Sequence, residues 1–105
     1  MISKELLSEV LNEVCPIVEI KKFKNNNLLI KYQNQYQKTI NIYELAHMCK
    51  EWALKNGYKL HDYAHSIVIV NLNMNIEYSV IDDNFNNVYD VERFFKACEW
   101  ILENK

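Results

Sequence analysis

Glycine and proline are almost absent from this chain. Gly57 and Pro16 are the only ones among 105 residues. A loop that cradles phosphate needs residues without Cβ, so that the backbone can close on the anion. A single glycine therefore excludes the Walker loop, the dinucleotide fingerprint and the nucleophile elbow in their usual forms. Cysteine is also scarce: Cys15, Cys49 and Cys98 are odd in number, far apart, and form no C-x-x-C pair. That argues against a disulfide framework and against a zinc knuckle, and predicts free thiols. No apolar run approaches the roughly 20 residues of a membrane span. The opening Met1-Ile2-Ser3-Lys4-Glu5 lacks the basic-then-apolar order of a secretory signal. The expectation is a cytoplasmic protein with no membrane partner.

Half of the residues are hydrophobic and a quarter are charged, which suits a single globular domain over residues 1–105. The formal charge of −2 gives no strong field toward nucleic acid. Charge is unevenly spread, however. Residues 1–41 hold six lysines and four acids, a net +2; residues 42–105 hold ten acids and six bases, a net −4.

Hydrophobic periodicity divides the chain into alternating helices and strands. Ser3 is a natural N-cap, and Leu6, Leu7, Val10, Leu11 and Val14 share one helical face up to Cys15-Pro16. Strands are expected over 17–23, 28–33 and 36–40, with Lys24-Asn25-Asn26-Asn27 as a turn. Asn41 and Glu44 resemble a capping box. Ile42, Leu45, Ala46, Cys49, Trp52 and Ala53 then form an apolar stripe, which Gly57 ends. Three more strands are expected over 58–63, 66–72 and 76–80. A last helix is expected over 88–104, with Asn87 or Asp90 as cap. The fold class is α+β, an antiparallel sheet packed with helices in the order α-βββ-α-βββ-α. Residues 1–41 form a helix and meander, and 42–105 a helix–three strands–helix unit. The segments Glu51-Trp52-Ala53-Leu54-Lys55-Asn56 and Glu99-Trp100-Ile101-Leu102-Glu103-Asn104 repeat one signature. A duplicated unit or shared helix-ending chemistry would each produce it.

Few residues suggest chemistry. His61, Asp62 and His65 would suit a metal on a helix, but in a strand i and i+4 lie about 13 Å apart. Cys49 and Cys98 fall on apolar helical faces, where burial suppresses reactivity; Cys15 is the best candidate for an exposed thiol. No catalytic residue, cofactor or metal is therefore expected. Trp100 lies about 180° from the apolar face of its helix, beside Arg93 and Lys96. That marks either a partner-binding hot spot, a cation–π stack covering the ring, or a ring buried by the N-terminal layer. Asp82, Asp83, Asp90 and Glu92 form a second, acidic candidate patch. Tyr43, His47 and Leu54 lie on the back of the middle helix, where the first helix could cover them. Lys21, Lys22 and Lys24 could contact phosphate, or could protect an edge strand, and the second reading is favoured.

Residues 42–104 resemble the double-stranded RNA-binding domain in element order only. Where that family places phosphate-clamping lysines, this chain has Asp90, Val91, Glu92 and Arg93, mostly of the wrong sign. Ile42-Tyr43-Glu44-Leu45-Ala46-His47, Cys49-Lys50-Glu51-Trp52-Ala53 and the ending from Phe95 to Asn104 resemble small proteins carried by bacteriophages and prophages of AT-rich bacteria, a group without an assigned activity. The resemblance implies a mobile-element accessory protein. The functional expectation is a non-enzymatic binder of another macromolecule, a protein before a nucleic acid. Inhibition of a host defence protein would be one such role. The alternative is a nucleic-acid-binding domain that uses the Lys21–Lys24 hairpin.

Overall fold

The computed structural model describes residues 1–63, 66–81 and 91–105. Its elements run α1 (Lys4–Leu11), β1 (Ile17–Phe23), β2 (Asn27–Tyr32), β3 (Gln37–Asn41), α2 (Ile42–Lys55), β4 (Tyr58–Tyr63), β5 (Ser66–Asn71), β6 (Ile76–Ile81) and α3 (Glu92–Asn104). The order matches the expected α-βββ-α-βββ-α. The strands form two antiparallel meanders, β1-β2-β3 and β4-β5-β6. Cα extents of 42 × 29 × 17 Å describe a flat body, the thickness of one helix layer on one sheet layer.

Local chemistry sets the helix ends. Ser3 Oγ accepts the Leu6 N–H at 3.1 Å, and Asn41 Oδ1 accepts those of Tyr43 and Glu44 at 2.9 and 3.3 Å. Gly57 closes α2 at φ +89°, a value that would strain any residue with a Cβ. The first helix stops earlier than expected. Asn12 turns left-handed at φ 54°, and the Glu13 N–H reaches back to the Ser8 carbonyl at 2.9 Å. The apolar stripe is thus cut before Val14, which is 97% exposed. The expected start of the last helix at Val88, with caps Asn87 or Asp90, lies outside the described residues.

The two meanders share their middle-strand core positions and the turns that follow, while their register irregularities fall in different strand pairs. Leu28 and Ile30 are buried in β2; Ile67 and Ile69, thirty-nine residues later, are buried in β5. Both following turns use the same bonds. Tyr32 N–H meets Tyr36 O at 2.9 Å and Gln35 N–H meets Tyr32 O at 3.0 Å; Asn71 N–H meets Asn75 O and Met74 N–H meets Asn71 O, each at 2.9 Å. Gln35 and Met74 both take left-handed φ, 70° and 64°. The paired Glu-Trp-x-Leu-x-Asn segments also end alike. Asn56 Nδ2 donates to the Trp52 carbonyl and Asn104 Nδ2 to the Trp100 carbonyl, each at 2.8 Å. The shared signature thus includes a shared helix-ending bond.

One core joins the halves. Leu6 and Leu7 from α1, Leu45, Cys49 and Ala53 from α2, and Phe95, Cys98 and Ile101 from α3 meet the inner faces of both sheets. Each of the buried Leu, Ile and Phe side chains among them contributes about 1.5–3 kcal/mol against exposure. Polar contacts pin α1 to α3. The N-terminal amine meets Glu92 at 3.0 Å, Ser3 N–H donates to Glu99 Oε1 at 2.9 Å, and Lys105 meets Glu9 at 2.7 Å. No helix among the described residues is long and apolar enough to cross a membrane.

Candidate functional site

The third helix is covered on two sides, and this changes the expected site. Phe94, Phe95, Ala97, Cys98 and Ile101 are buried. The opposite side meets the second sheet. Strand pairing places Leu60, Ile69 and Tyr78 in one row, and Asp62, Ile67 and Val80 in the next. Tyr78 stacks on Trp100 at 5.3 Å between centroids and 6° between planes, and Tyr58 meets it edge-on at 6.0 Å. Trp100 is thus half-buried, with its ring covered by tyrosines of the second sheet.

Arg93 is not a surface cation. Its side chain is 1% exposed, its Nη2 lies 2.8 Å from Asp62 Oδ1, and its Nη1 donates to the Tyr63 carbonyl at 2.6 Å. The guanidinium also lies over the Phe94 ring at 5.2 Å. The expected patch of Trp100 between two exposed cations is therefore split. Arg93 ties α3 to β4, Trp100 joins an aromatic stack, and Lys96 remains exposed. Helical periodicity placed the three side chains on one face, but a one-helix pattern does not say what covers that face. Among the acidic candidates, Glu92 holds the N-terminal amine. Asp82, Asp83 and Asp90 lie outside the described residues.

Beyond Tyr78 lies a surface that was not expected, since Leu72 and Ile76 close and open the expected strands 66–72 and 76–80. Leu72 is 74% exposed, Met74 67%, Ile76 69% and Tyr78 46%. The turn beneath them is firmly built. Asn71 Oδ1 accepts the N–H groups of Asn73 and Asn75 at 2.9 and 3.0 Å, and its Nδ2 donates to Glu77 at 2.7 Å. The turn needs its asparagines; it has no use for Leu72 or Met74. The signal was available as the alternation Leu72-Asn73-Met74-Asn75-Ile76, apolar residues spaced between turn formers.

The opposite hairpin is basic. Lys21, Lys22, Phe23 and Lys24 are all exposed. Glu19 bridges Lys21 at 3.2 Å and Lys31 at 3.6 Å. The Lys21 hydrogen bond holds the Glu19 carboxyl below its ordinary range, and the same bond raises Lys21. Behind this sheet, Glu13 accepts from Lys38 and from the Tyr32 hydroxyl. Those bonds, Lys38 first, lower its carboxyl pKa.

The remaining candidates fall into structural places. Cys49 and Cys98 are buried, and Cys98 Sγ donates to the Cys49 carbonyl at 3.5 Å. Hydrogen bonding to Cys49 and burial push the Cys98 thiol far up, which keeps it protonated. Cys15 is half-buried. Tyr43 and Leu54 are 47% and 54% exposed, so α1 leaves the back of α2 open, where His47 meets Glu51 at 3.1 Å. His61 lies in β4 as expected of a strand, and His65 falls outside the described residues. Among the described residues, no group of three or more His, Cys, Asp and Glu side chains is placed to hold a metal ion.

Comparison with protein-family models, with curated proteins and with solved structures finds no match to this chain in any of the three.

Proposed function

We propose that this protein is a protein-binding module whose contact surface is the β5–β6 hairpin backed by Trp100. One observation carries the reading: four large apolar side chains, Leu72, Met74, Ile76 and Tyr78, are exposed within seven residues of one hydrogen-bonded hairpin. Exposed apolar residues scattered singly need no explanation, whereas a cluster held outward by a built turn does. Tyr and Trp are rigid and amphipathic, and they anchor interfaces at low entropic cost. Trp100, fixed between Tyr58 and Tyr78, gives the hairpin a stiff base. The partner is a protein with an apolar socket. In the setting implied by the resemblance to phage-borne proteins, docking would serve an accessory role, such as inhibition of a host defence protein.

A photo-activatable residue at Met74 tests the reading in extracts of the natural host. One discrete protein adduct should form, and it should vanish when Leu72 and Ile76 both become Asp. Because the contact is apolar, adduct yield should change less than about threefold between 50 and 500 mM salt. A steep loss with salt would point to the acidic patch of Asp82, Asp83, Asp90 and Glu92 instead. An adduct insensitive to the double substitution would refute the reading.

A further inference from the structure

The first sheet presents a different surface, at its own hairpin. Residues 17–41 hold five lysines and one glutamate, a net +4; residues 58–81 of the second meander hold one lysine and two acids, a net −1. At the tip of β1, Phe23 is 52% exposed between the exposed Lys22 and Lys24. Pairing places Phe23 opposite Asn27 and Lys21 opposite Leu29. Phe23 and Lys21 therefore share a face, about 7 Å apart. Lys31 joins that face one strand over, opposite Glu19. Edge protection accounts for the lysines, since charge alone keeps an edge strand from pairing with another chain. A phenyl ring exposed singly needs no explanation by itself; what points to a ligand is its register beside Lys21 and Lys31 on one face of the sheet.

We propose that the β1–β2 hairpin binds single-stranded nucleic acid, with Phe23 stacking on a base and Lys21 and Lys31 meeting phosphates on the same face. Lys24, and Lys22 on the other face of β1 opposite Leu28, meet phosphates as the strand passes round the tip. A ring and a set of cations on one short hairpin are the two components that such sites combine. A duplex keeps its bases stacked and would leave the ring unused. Glu19 offsets part of the charge on Lys21 and Lys31, and the acidic remainder of the chain adds no attraction at long range. The site is therefore local and strongly salt-dependent. It rests on the first sheet alone and is independent of docking at the β5–β6 hairpin.

The second meander supplies an internal control. Tyr63 stands at the matching position, paired with Ser66 as Phe23 is with Asn27, and it is 57% exposed. Its neighbour Asp62 is an acid engaged with Arg93, where the first meander has the exposed Lys22. The ring is present there without the cations.

Fluorescence anisotropy of the whole protein with labelled oligo-dT and with an RNA strand of the same length tests the proposal. Saturable binding is expected at 50 mM salt, with log K falling by about 2–3 per decade of salt for three to four phosphate contacts. Phe23→Ala should weaken binding at least about fivefold. Lys22→Glu with Lys24→Glu should remove it, and Tyr63→Ala should leave it within about twofold. All four positions are exposed, and an unchanged circular dichroism melting curve confirms that each variant is folded. Absence of binding at 50 mM salt overturns the proposal. So does duplex DNA binding as tightly as the single strand with Phe23→Ala silent, or binding confined to vesicles of anionic lipid.

Discussion

The two meanders have the same frame and present different surfaces. Leu28 and Ile30 answer to Ile67 and Ile69, and the turns after β2 and β5 repeat the same bonds and the same left-handed residue. Even the exposed ring recurs, as Phe23 and Tyr63. What differs is the chemistry beside that ring and at the next turn. Lys22 is exposed where Asp62 holds Arg93, and Gln33 and Gln35 occupy the turn positions that Leu72 and Met74 fill in the second meander. The central buried pairs carry the architecture, so they repeat; the exposed positions are free of that demand, so they record separate uses.

The comparison can be broken first at its base. If both meanders hold one core, Ile30→Ala and Ile69→Ala should each cost about 2–5 kcal/mol in a single denaturation transition. Two transitions, or a cost confined to one meander, would show that the halves are not equivalent. The contrast sharpens at the matched pair Lys22 and Asp62. Asp62→Ala removes the carboxylate facing a buried guanidinium and should cost about 2 kcal/mol, whereas Lys22→Ala should change stability by less than about 0.5 kcal/mol. Equal costs in a thermal melt would contradict the assignment.

A smaller effect separates the halves by pH. Glu13 is held below its ordinary carboxyl range by Lys38 and then Tyr32. Its contribution is therefore complete above the unfolded carboxyl value and is lost as pH falls through the lowered folded value. Acidification below the ordinary carboxyl range should thus remove a small part of the stability, small because the pair is partly solvated. Glu13→Gln should abolish that part of the acid dependence, and a pH-stability profile with the same slope in the variant would rule it out. The smallest effect is on stability at the apolar tip. Leu72→Asp with Ile76→Asp should shift the melting free energy by less than about 0.5 kcal/mol per site, while removing the docking adduct.

How much was legible follows from how local each cause is. The Asn41 cap, the Gly57 stop, and the bounds of β1 and β4 depend on neighbours in sequence, and all were legible. Val14 was misplaced because Asn12 took a left-handed conformation that a single non-glycine position signals weakly. Arg93 and Trp100 were misplaced for a different reason. Their surroundings come from Asp62, Tyr63, Tyr58 and Tyr78, which are over twenty residues away, and helical periodicity reports a face without its neighbour. The basic hairpin was visible as a charge run, but its matching ring at Tyr63 emerged only from strand register. The apolar tip was hidden because Leu72, Ile76 and Tyr78 read as strand residues, and a strand pattern does not say how far its covering layer reaches.

The most direct test of the contrast is an amide chemical-shift titration of the whole protein with a single-stranded oligonucleotide. The account predicts saturable shifts along residues 19–31, with the amides of 58–63 and 71–78 unmoved. Shifts at the second meander, or none at the first, would contradict it.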